Sequence, residues 1–294
     1  MSIADIPVES AGALRADRRE ARREVLRELV RRPLFIVGSL IIVFWIICAL
    51  FPSLIATQDP YAQNLLNINQ PPSSAHRFGT DSLGRDMFSR VIYGARDILV
   101  IAPLATLLGT VLGTALGLVM GYLRGITDDV TSRFVEAFLA LPVVVTSLIV
   151  ITALGPSSLT LIVVIGVLFA PLIARTVRAA VLQERSLEYV AAARLRDERA
   201  PYIMFVEILP NVMAPVMVEF TVRLGYAIFA VATLSYLGFG LQPPSPNWGL
   251  EVSQNFVQVT AGFWWEVLFD ALAIASVVIA VNLVSDSVER VLEQ

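Results

Sequence analysis

The chain has 294 residues, 56% of them hydrophobic and 16% charged, with a formal net charge of −3 and a mean hydropathy of +0.71. A soluble domain carries about a quarter charged residues, so the deficit places the chain in the membrane class. All 22 basic residues are arginine; without lysine the chain builds neither a P-loop nor a Schiff base, and a single cysteine and a single histidine cannot form a structural zinc site.

Residues 1–32 are polar and hold eight arginines between Arg15 and Arg32. They are read as a cytoplasmic N-terminal helix with charges at helical spacing, and the long polar lead argues against a cleaved signal peptide. A membrane domain over 33–294 follows. Span one is 34–51 and contains Cys48 as a packing residue. A loop over 52–96 holds Pro60, Pro71, Pro72 and a solvated His76. Span two, 98–123, is uncharged. The uncharged run 137–174 would be nearly 60 Å as one helix, about twice the hydrocarbon thickness. Gly155-Pro156 divides it into spans three (133–154) and four (158–177). Span five is 212–237, and span six, 266–284, follows a loop with Trp248, Trp264 and Trp265, expected as interfacial anchors. Six spans put both termini on one side. Arginine is concentrated there and in the segment between spans four and five, so that side is expected to be cytoplasmic.

Several polar or small-residue features stand out. In span two, Gly109, Gly113, Gly117 and Gly121 clear one stripe for close helix approach. Glu136 is expected to pair with Arg133, and Pro142 to bend span three. Glu219 and Arg223, four apart inside span five, either form a structural pair or line a water-filled path with Tyr226. Asn282 and Asp286 are expected to cap the end of span six. Between spans four and five lies a polar island, Arg175 to Glu207, containing Glu188-Tyr189-Val190-Ala191-Ala192-Ala193-Arg194 and followed by Pro210. It reads as two short helices with a turn at Arg196–Pro201, and as a docking element for a soluble partner.

Three stretches, Phe78–Asp86, Glu188–Asn211 and Leu234–Pro244, resemble the inner-membrane permease subunits of binding-protein-dependent ABC importers. The likeness is greatest to the second permease of the dipeptide/oligopeptide/nickel family. It implies an all-α, six-span, type I (MetI-like) permease fold with a core over 96–290 and a coupling loop over 178–210. On that likeness Glu188, Tyr189, Ala191, Ala192, Ala193, Arg194, Arg196, Asp197 and Pro210 belong to the "EAA" segment that meets the ATPase. The family's glutamate falls on Ala191 and its glycine on Asp197, where a left-handed residue is expected. The implied partners are a homologous permease, ATPase subunits, an extracytoplasmic binding protein, lipid and a peptide substrate, with no nucleic acid. ATP and magnesium would sit on the ATPases, and this chain would hold no cofactor. Nickel, glutathione or another peptide-like solute is the alternative within the family. A proton-coupled transporter using Glu136, Glu219 or Asp270 is the alternative outside it.

Overall fold

A computed structural model describes residues 27–292; most of the expected N-terminal helix, residues 1–26, lies outside that range. The described chain is helical. Pro33–Leu50 (α1) and the short Pro52–Ile55 (α2) precede an irregular segment. Met87–Leu123 (α3), Ile126–Leu139 (α4), Val143–Leu154 (α5) and Ser158–Glu184 (α6) follow. Glu188–Leu195 (α7) and Ala200–Tyr202 (α8) lead through a π-helical turn, Ile203–Ile208, into Met213–Tyr236 (α9). Trp248–Asn255 (α10), a 3₁₀ turn and Trp265–Leu292 (α11) complete the chain. Among the described residues α1, α3, α6, α9 and α11 are each long and apolar enough to cross a membrane, and α4 with α5 makes a sixth, broken crossing.

That sixth crossing starts at Ile126 rather than at 133, and the bend expected at Pro142 is a full break. Its two halves meet at 87°. The Ala140 N–H closes α4 on Glu136 and Leu141 tightens onto Phe138. Pro142 then has no N–H to give and holds its predecessor out of the helical region, so it becomes the N-cap of α5.

The second span begins at Met87 rather than Ile98, so Arg90, Arg96 and Asp97 are helical and the irregular segment ends at 86, not 96. Asp86 starts the helix by accepting from the Ser89 N–H at 2.9 Å and from its hydroxyl at 2.7 Å. Helix α6 likewise runs on to Glu184, through the first residues of the expected 178–210 loop. Helix α11 continues to Leu292, so Asn282 and Asp286 sit inside it and cap nothing.

The tightest seam joins α3 to α6. A Cβ on Gly109 would lie 2.8 Å from the Gly166 carbonyl oxygen, and one on Gly113 2.6 Å from that of Ala170. One on Gly117 would meet Val177 Cβ at 2.7 Å, and one on Gly121 would meet Val181 Cβ at 2.7 Å. These contacts are with backbone and branched side chains that cannot yield, so only hydrogen fits along the whole stripe. Helix α1 crosses α11 on the same principle, with Gly38 against the Ala280 carbonyl. Trp45 also donates to the Ser276 hydroxyl there at 2.9 Å.

At the end of the bundle away from the island, the tryptophans are not the expected ring of anchors. Trp248 is fully buried and donates to the Val91 carbonyl at 2.8 Å. Trp265 is 7% exposed and donates to the Thr80 carbonyl, which leaves Trp264 as the exposed member. Buried indoles usually find such a carbonyl. Cys48 is completely buried, as a packing residue would be.

Candidate functional site

The island folds as a knob at one end of the bundle. Val190 and Ala193, one turn apart on α7, are completely buried and pin the helix to the bundle. Glu188, Ala191, Ala192, Arg194, Leu195, Arg196 and Asp197 are exposed. Ala193 is thus an anchor and not part of the small-residue surface expected of the alanine run. Leu195, 89% exposed, is the most prominent apolar side chain on the knob. The turn after α7 is closed by two bonds, from the Asp197 N–H to the Arg194 carbonyl and from the Glu198 N–H to the Ala193 carbonyl. This double closure requires a left-handed residue at the first position past the cap, and Asp197 has φ 57°. Pro201 falls in the first turn of α8, and exposed Pro210 sits in the turn before α9.

Side chains brace the knob from several directions. The Tyr189 hydroxyl donates to Glu184 at the end of α6 at 2.6 Å. Burial, and then this bond to a carboxylate, push the phenol up to about 12. Arg194 lies 5.2 Å from the centroid of the Tyr122 ring at the end of α3. Arg196 donates to Glu207 at 3.0 Å across the turn. The knob therefore touches the ends of the two helices that share the glycine seam. Nearby, Arg178 of α6 holds Asp128 of α4 through paired bonds of 2.8 and 2.7 Å. That bridge was not foreseen, because nothing in the chain marks partners 50 residues apart.

Within the bundle, both oxygens of Glu219 are occupied. One accepts from Arg223 Nε at 2.9 Å and the other from the Thr176 hydroxyl of α6 at 2.7 Å. The Arg223 guanidinium rests 5.6 Å from the Tyr226 ring, itself 58% exposed. Glu136 and Arg133 approach to 3.6 Å but are largely solvent-accessible, so little depends on them.

The Phe78–Asp86 stretch folds into a plug at the opposite end. Gly79 and Gly84 adopt φ 79° and 71°, and a Cβ on Gly84 would lie 1.9 Å from the Asn64 carbonyl oxygen. Arg85 binds Asp81, and fully buried Arg90 binds Glu251 of α10 and the Pro60 carbonyl. Glu266 and Asp270, both completely buried, add two carboxyl groups without a hydrogen-bond donor among the described residues. His76 is not simply solvated: its Nδ1 lies 3.0 Å from Asp86, and its side chain is 12% exposed.

These features define a multi-pass membrane protein built on a small-residue helix seam, with a braced knob at one end and a polar plug at the other. The model of the binding-protein-dependent transport system inner membrane component family matches residues 113–294, and that of the N-terminal transmembrane domain of oligopeptide transport permease C matches 21–72. The chain is 36% identical over 273 residues to the dipeptide transport system permease protein DppC of Alkalihalophilus pseudofirmus, covering 92% of this chain and 89% of that one. It is 40% identical over 264 residues to the protein of that name in Escherichia coli K12, covering 88% of each. In fold it is similar to a chain of the MetNI methionine ABC transporter in inward-facing conformations. The TM-score is 0.57 at 18% identity, over 71% of this chain and 98% of that one. The chain belongs to the binding-protein-dependent inner-membrane transport component family and is a multi-pass protein of the inner membrane.

Proposed function

We propose that this chain is one of two permease subunits of an ATP-driven importer of dipeptides or short oligopeptides, and that the knob faces the cytosol and seats in the ATPase. The dipeptide permeases it resembles support the substrate class. The carrying observation for the coupling role is the knob's construction: Leu195, Ala191 and Ala192 face outward while Val190 and Ala193 fix the helix from behind. A push on that face is transmitted through Arg194 to the end of α3, and through Tyr189 to the end of α6. The α3–α6 seam has no slack, since its closest approaches leave no room for a methyl group, so the two helices move as one lever.

ATP-driven closure of the ATPases would draw this knob toward its counterpart on the second permease and reverse the side on which the path opens. A binding protein would deliver substrate at the plug end. Glu219, Arg223 and Tyr226 are assigned to the wall of the path, with the ion pair keeping both charges satisfied and Tyr226 presenting its ring. The test is uptake of labelled dialanine by proteoliposomes containing the complex. Uptake should require ATP and binding protein and be indifferent to a proton gradient. Uptake driven by the gradient alone would refute the proposal.

A further inference from the structure

Between α9 and α11 lies an open pocket of about 490 Å³, inside the roughly 300–1,000 Å³ range of small-molecule sites. Its walls include Tyr226 and Phe229 from α9, and Asn282, Ser285, Asp286 and Glu289 from α11. Three observations separate it from an ordinary groove. First, it is polar on an apolar helix. Asn282 and Asp286 both lie within Trp265–Val291, long and apolar enough to cross a membrane, and both are exposed. Polar side chains on such a helix line water-filled paths or meet a partner, because contact with lipid is costly.

Second, the Ser285 hydroxyl, on a residue 2% exposed, has no hydrogen-bond partner among the described residues. Buried polar groups are normally satisfied, so this one has capacity for a ligand. Third, the pocket's charge is one-sided. Asp286 and Glu289 line it, and among the described residues no arginine does; Arg223, which rests against the Tyr226 ring, is bonded to Glu219. Gly225 deepens the floor, since a Cβ there would lie 2.7 Å from the Asn282 side-chain oxygen.

We propose that this pocket is a cation-accepting subsite of the translocation path, which takes the protonated amino end of the transported solute. Asp286 and Glu289 supply the charge, and Asn282 and Ser285 supply hydrogen-bond partners for the ammonium group. The ring of Phe229 lines the other side, where a cation over an aromatic face is further stabilised; the Tyr226 ring beside it already carries Arg223. The inference rests on the transport reading above for the identity of the solute, though not for the existence of the cation site.

The test is substituted-cysteine labelling in the assembled complex in membranes. The chain's single cysteine, Cys48, is fully buried and is removed as Cys48→Ala. Asn282→Cys is the first reporter, and Tyr226→Cys, on the facing wall, is the second in case the first disturbs folding. The 2-aminoethyl methanethiosulfonate cation should outpace the 2-sulfonatoethyl anion by about tenfold beyond their ratio on a free thiol, as an acidic cleft concentrates cations. Adding Asp286→Asn with Glu289→Gln should collapse that preference. Butylammonium and dialanine should shield the thiol, whereas N-acetyl-dialanine should not.

Reporters that react with neither reagent, a preference indifferent to neutralising both carboxylates, or equal shielding by the acetylated and free peptides would each overturn the proposal. If the charge preference and butylammonium shielding hold while the wild-type complex imports no dialanine, the cation site stands and the peptide-transport reading falls.

Discussion

Asp197 shows how one residue sets the shape of the knob. Its φ of 57° is a conformation that costs most L-residues about 1–2 kcal/mol and aspartate less. Asp197→Gly should therefore leave the knob intact and raise its stability slightly. Asp197→Val should cost about 1–2 kcal/mol, because a β-branched side chain fits that conformation poorly. Thermal unfolding of the purified complex measures both. Tyr189 makes a second residue-scale claim. Tyr189→Phe leaves Glu184 without its phenolic donor and should cost about 1 kcal/mol, read in the same assay. Because the folded phenol is raised to about 12 from an ordinary value of 10.0, its contribution is complete below about pH 10. It is lost as pH climbs through about 12. Absorbance of tyrosinate in wild type against Tyr189→Phe isolates the transition.

At the scale of elements, the α3–α6 seam is the joint most sensitive to volume. Gly113→Ala introduces a methyl group where only 2.6 Å separates it from a backbone oxygen, and should cost about 1–3 kcal/mol as overpacking. Gly113→Leu should prevent the helices from closing and abolish recovery of assembled complex, which size-exclusion chromatography after detergent extraction detects. This seam was legible in the sequence because glycines four apart mark one helix face whatever the partner is. The island's two short helices were legible too, since its alanine run favours a helix and Pro201 suits the first turn of the next. What escaped was decided by long-range pairing. The start of α3 at Met87 depends on the Asp86 cap and on burying Arg90 against Glu251, 161 residues away, so charge alone misled. Trp248 and Trp265 looked like surface anchors because tryptophan near an apolar run usually is one, yet each found a carbonyl inside the fold. The bend at Pro142 was visible, but its 87° angle was not, because a proline says where a helix stops and not where the next one goes.

For the whole molecule, the parts form one mechanical sequence. The plug ties α3, α10 and the segment after α2 into one end of the bundle, opposite the knob, through Arg90, Glu251 and Pro60. In the proposed mechanism the seam would carry displacement along α3 and α6, and the knob would be the exposed point where force enters. Helix α1, against α11, presents an apolar outer face that includes Leu40, Phe44 and Leu50, suited to lipid. The broken α4–α5 pair is tied to the lever at Asp128–Arg178. Arg178→Ala should therefore reduce transport more than it reduces stability, which the ratio of uptake rate to complex yield records. All of this presumes that motion begins at the knob. The decisive measurement is ATP-driven dialanine uptake by proteoliposomes in which residues 191–199 are replaced by a glycine–serine segment of equal length. The chain should still insert and pair with its sister permease, while ATPase retention and uptake are both lost. Uptake at the wild-type rate through the replaced segment would contradict it.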